Sequence, residues 1–150
     1  DVMFLKRFLQ DGISNEQRIR ILDEIFLKYV EVSESELSKN LYMDKSHVYE
    51  LYKSGHHIGC HGYDHLRWNK LKDHELNFEL SEWSNFYKKL GILKDHWTAC
   101  YPYGAKSADV TNKLRNLGCS LAFSTDASLI NLNYHNPLDL PRMNTNDFPK

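Results

Sequence analysis

"HHIGCHGYDHLRW", His56 to Trp68, gathers four histidines, one cysteine and one aspartate around two glycines. Its first half, "HHIGCH", reads as a short strand, and Gly59 and Gly62 allow it to run into a loop. What that strand belongs to is set by the segments on either side. Downstream, "KDHELNFELSEWSNFYKKLG" places Leu76, Leu80, Trp83, Tyr87 and Leu90 at helical spacing, so the segment is an amphipathic helix closed by Gly91. "WTACYPYG" reads as a strand entering a Pro-Tyr-Gly turn. "SADVTNKLRNLG" follows as a helix capped by Ser107, with Val110, Leu114 and Leu117 facing inward and Gly118 as the stop. "CSLAFST" is a buried-type strand, and "LDLPRMN" one more short strand, weakened by Pro141. Strand, helix, strand, helix, strand is the order of α/β architecture with a parallel sheet.

Upstream, "SNEQRIRILDEIFLKYV" sets Ile19, Leu22, Ile25, Phe26 and Tyr29 on one helical face, with Ser14 or Asn15 as its cap. A further helix is predicted at "MDKSHVYELYKSG", capped by Asp44 and closed by Gly55. No repeat, low-complexity tract or linker interrupts the 150 residues, and one domain, or part of one, is expected.

Composition excludes some classes. With 19 basic and 20 acidic residues the formal net charge is -1, so no basic face for nucleic acid is indicated. No apolar run reaches the length of a membrane span. Cys60, Cys100 and Cys119 are odd in number and widely spaced, which makes neither a disulfide framework nor a C-x-x-C motif. They lean toward a reducing, cytoplasmic compartment.

Function in α/β folds collects where strands end at the carboxyl edge of the sheet. "CHGYDH", "YPYG" and "STDAS" all fall in that position. His61 and His65 are four apart, and if "DHLRW" begins a helical turn both imidazoles face one point, as a zinc-type ion requires. Two surface histidines at that spacing are equally common, and a catalytic zinc needs three protein ligands. Cys60 points to the opposite side of the strand from His61 and reads as a core thiol. His56 and His57 read as structural or solvent-facing. In "CYPYG", backbone N–H groups are free to meet a substrate oxygen, or the segment is an ordinary turn. Asp126 and His135 are an acid–base pair in one reading, a turn cap and a loop residue in the other.

Taken together these segments resemble the polysaccharide deacetylase family, the NodB-homology carbohydrate esterases. The family's second motif, H-[ST]-x-x-H, corresponds to "HGYDH", with Gly62 where serine or threonine is usual. Its third, R-x-P-[YF], corresponds to "CYPY", with Cys100 in place of the arginine. The resemblance runs from about Leu41 onward. It implies part of a distorted (β/α) barrel whose N-terminal strands are missing here, and metal-dependent removal of N-acetyl groups from a sugar or polysaccharide.

Carried over to this sequence, the resemblance makes His61 and His65 ligands of a divalent metal, most often zinc. It gives Tyr103 the oxyanion-stabilising N–H, and has Tyr101 and Pro102 shape the carbohydrate groove. The first motif, T-F-D-D, which supplies the base and the third ligand, has no counterpart and is expected upstream of Asp1. His135 is off-register for the family's general acid. The chain by itself is therefore expected to hold half a metal site, to lack turnover and to self-associate through an open sheet edge. The alternative reading is a carbohydrate-binding or scaffold remnant of the same fold.

Overall fold

Ser14 starts the first long helix by accepting a hydrogen bond from the Gln17 N–H while the Gln17 side chain accepts from the Ser14 N–H, a reciprocal cap. The computed structural model describes residues 1–92 and 96–148. They divide into two compact units, Asp1–Asp44 and Lys45–Lys150. The first unit is helical: α1 (Val2–Arg7), a π-turn over Phe8–Gly12, α2 (Asn15–Tyr29) and α3 (Glu34–Leu41). The helix predicted from Ser14 forms, but none of its side chains is fully buried. Ile19, Leu22 and Ile25 remain exposed.

The second unit carries α4 (Lys45–Lys53), α5 (Asp73–Leu90), β1 (Trp97–Cys100), α6 (Ala108–Asn116) and β2 (Cys119–Phe123). β1 and β2 pair in parallel, with Thr98 opposite Leu121, Ala99 opposite Ala122 and Cys100 opposite Phe123. One further parallel row flanks each side, Cys60 against Ala99 and Leu140 against Phe123. "HHIGCH" and "LDLPRMN" thus contribute single bridges where strands were predicted. Pro141, directly after Leu140, has no N–H with which to extend its row. The four rows follow one another in chain order, but a closed barrel is not present among the described residues.

α5 supplies most of the cover. The Lys72 N–H donates to the Glu75 carboxyl at its start, and Gly91 ends it at φ +67, a left-handed value that glycine adopts without strain. Leu76, Leu80, Trp83 and Tyr87 are buried, as their spacing predicts. Trp83 packs on Trp97 of β1 with ring centroids 4.3 Å apart, and the Trp97 indole N–H donates to the Leu117 carbonyl at 2.9 Å. Each such buried side chain contributes about 1.5–3 kcal/mol over leaving it in water. From α6, Val110 and Leu114 join this core. Leu117, expected inward, is 54% exposed because the helix has ended at Asn116 and the chain turns at Gly118.

All three cysteines are free, and Cys60 and Cys119 are buried. Burial pushes both thiols up to about 12. At pH 8 a thiol reagent is therefore expected to label one cysteine, Cys100, quickly in the folded chain and all three in denaturant. Two fast-labelling thiols in the folded chain would contradict this packing.

Candidate functional site

The row that contains Cys60 delivers His61 to the carboxyl end of β1. The Cys60 N–H donates to the Thr98 carbonyl and the Cys100 N–H to the Cys60 carbonyl, each at 2.8 Å. One residue on, His61 Nδ1 lies 2.8 Å from the Cys100 carbonyl oxygen. A carbonyl only accepts, so Nδ1 carries a proton, and the tautomer with a single N–H has its lone pair on Nε2. That Nε2 is 3.0 Å from Nε2 of His65.

The two imidazoles do meet, though not through a helical turn. Residues 61–67 are bends and irregular backbone, with Gly62 at φ +84 and His65 at φ +55. A left-handed backbone is rarely adopted by a residue with a Cβ, and it persists only where the surroundings hold it. Among the described residues two non-glycine positions have it, His65 and Tyr103 (φ +58). Their rings lie 4.6 Å apart, and the Arg67 guanidinium sits 4.3 Å from the Tyr103 ring centroid. Pro102 begins the short 3-10 turn Pro102–Gly104 that places Tyr103 there. No hydrogen bond is made by the Tyr103 N–H among the described residues.

Other expected site residues lie elsewhere. Tyr101 is 1% exposed, with its hydroxyl donating to the Leu138 carbonyl at 2.6 Å and its ring set edge-on against Trp68. Pro102 is likewise buried. Both side chains therefore lie on the core side of the turn. Asp126 accepts from Lys106 at 2.7 Å and from Ser124 at 3.0 Å, and the lysine holds its carboxyl below the usual carboxylate range. Lys106 also pairs with Asp139. His135 folds back on its own turn, its Nδ1 accepting from the Asn131 N–H at 2.9 Å.

Three features escaped the sequence reading. Glu79, on the inward face of α5, is 1% exposed and accepts from the Tyr63 and Asp64 N–H groups, each at 2.9 Å. Its signal was available: it stands three residues after Leu76 and four before Trp83, inside the apolar stripe. Arg142 reaches the Cys100 sulfur, 3.6 Å from Nη1, and Arg67 covers Tyr103. A cavity of about 170 Å³ opens between Tyr52, His56, His57, Tyr87 and His96, but shares no lining residue with the His61–His65 pair.

The sequence model of the family described as "Polysaccharide deacetylase" matches residues 26–122. The chain belongs to the polysaccharide deacetylase family. No curated protein and no solved structure matches the chain. The deacetylase match spans both the His61–His65 loop and the Tyr103 turn, so the two left-handed residues fall within it.

The histidine pair fits a divalent ion as far as it goes. Two nitrogens each about 2.0–2.1 Å from one tetrahedral zinc stand roughly 3.3 Å apart, and the observed 3.0 Å is within a few tenths of that. The Cys100 carbonyl on His61 Nδ1 is the outer partner that a ligating imidazole usually has. Among the described residues no group of three His, Cys, Asp or Glu side chains is placed to hold a metal. No helix among them is long and apolar enough to cross a membrane.

Proposed function

We propose that this chain is part of a carbohydrate N-deacetylase domain, in which His61 and His65 provide two ligands of a divalent metal, most simply zinc. The observation that carries this reading is the 3.0 Å approach of their Nε2 atoms beside Tyr103, inside the family match. The four parallel rows in chain order suit the wall of a (β/α) barrel, and their open edges suit pairing with further strands.

Each residue then has a defined task. His61 is held by the Cys100 carbonyl with its Nε2 lone pair outward. In the metal-free pair the His65 Nε2–H donates to that lone pair, so taking up an ion requires the His65 proton to move to its own Nδ1. A bound divalent ion supplies polarisation of the acetamide carbonyl and a more acidic water. The Tyr103 N–H donates to the oxygen that gains charge as the carbonyl becomes tetrahedral. A donor of this kind is worth about 10²–10³ in rate where it has been removed from other hydrolases. Arg67 and His65 hold the Tyr103 ring from two sides. The third ligand and the base are acidic groups from outside the described residues.

Calorimetric titration of the chain with zinc, paired with acetate release from N-acetylglucosamine oligomers, tests this. Weak one-to-one binding is expected, with no acetate from the chain alone and acetate released once a segment carrying an Asp-Asp pair is supplied. Binding of the sugar oligomer with no zinc uptake under any condition would favour the carbohydrate-binding remnant.

A further inference from the structure

We infer that Glu79 is a positioning residue for the histidine pair, acting through the backbone of the loop that joins them. This rests on the reading of His61 and His65 as metal ligands. The two histidines are four positions apart in sequence, and the loop from one to the other has two left-handed positions, Gly62 and His65 itself. A loop bent in this way relaxes unless something opposes it. Tyr63 and Asp64, between the histidines, donate their N–H groups to Glu79 Oε2 and Oε1 respectively, both at 2.9 Å. One carboxyl group thus takes two successive N–H groups, one per oxygen, and ties the middle of the loop to α5.

The surroundings show how closely this clamp is built. Glu79 is 1% exposed, and burying a carboxyl group is unfavourable unless its oxygens are hydrogen-bonded. A Cβ on Gly62 would lie 2.9 Å from Glu79 Oε2 and 3.3 Å from Trp68 Nε1, so the loop backbone packs directly onto the carboxyl group. α5 is fixed in turn by Leu76, Leu80 and Trp83 in the core. The loop is therefore referenced to a rigid helix, and the histidines sit at its two ends. Glu79 acts through the Tyr63 and Asp64 amides.

Glu79→Gln tests this in the full chain, because an amide keeps the shape but turns an NH2 group against one of the two N–H donors. Leu80→Ala, on the same helix and equally buried, serves as the control for a merely destabilising change. Two readouts are taken well below each variant's melting temperature: zinc affinity by titration, and hydrogen exchange of the Tyr63 and Asp64 amides. Glu79→Gln is expected to weaken zinc binding by roughly tenfold or more and to speed exchange at those two amides selectively. Leu80→Ala is expected to lower the melting temperature while leaving zinc affinity within about twofold of the parent.

Unchanged exchange at Tyr63 and Asp64 in Glu79→Gln would overturn the inference, as would zinc affinity that follows only global stability. If the parent chain takes up no zinc at all, the ligand reading fails. The exchange readout then still decides whether Glu79 holds the loop.

Discussion

His61→Ala and His65→Ala are each expected to abolish zinc retention while leaving the fold intact. With two imidazoles on one ion, removing either leaves a single ligand, and the loss in affinity should exceed about a hundredfold. The fold should survive because both side chains are exposed, and substitutions at exposed positions usually change stability by no more than about 0.5 kcal/mol. His65 has a second test built into its backbone. At φ +55 alanine is strained and glycine is not. His65→Gly should therefore be more stable than His65→Ala by about 1 kcal/mol while losing the metal just as completely. Circular dichroism melts and zinc titration of the three variants check both statements. Retained zinc in either alanine variant removes that residue from the ligand set.

Gly62→Ser, which would restore the residue type usual in the family's second motif, is expected to destabilise the chain by about 2–5 kcal/mol. Two effects add. A side chain at φ +84 carries about 1–2 kcal/mol of backbone strain. Its Cβ would also stand 2.9 Å from Glu79 Oε2, forcing the carboxyl group off the Tyr63 or Asp64 N–H, and an orphaned buried donor costs about 1–3 kcal/mol. Urea unfolding at neutral pH measures the sum. A neutral effect would mean that the loop can shift away from Glu79, and the clamp would be looser than the contacts imply. In this chain the glycine is thus not a lost serine but a residue the local geometry requires.

What the sequence made legible is what repeats along it. The apolar stripe of α5, the Ser14 and Ser107 N-caps and the Gly91 stop are local signals, and each appears where it was expected. The meeting of His61 and His65 was legible from their spacing, but the route was not. Two left-handed residues achieve it, in a loop tied to Glu79 through Tyr63 and Asp64 and to Tyr103 through the His65 ring, all remote or unmarked in the local sequence. The groove role of Tyr101 and Pro102 comes from the family resemblance alone. Only the tertiary placement of Trp68 and Leu138 puts them in the core. Glu79 was overlooked for the opposite reason: an acidic residue on a helix is usually on its solvated face.

The most direct test of the central claim is nitrogen-15 NMR of the imidazole rings during zinc titration. The account predicts that Nε2 of His61 and Nε2 of His65 shift together and saturate at one zinc per chain, with the His65 proton moved to Nδ1. It also predicts that His61 Nδ1 keeps its proton on the Cys100 carbonyl throughout. A shift at one ring alone, or at neither, would contradict the shared site and with it the metal-dependent reading of this loop.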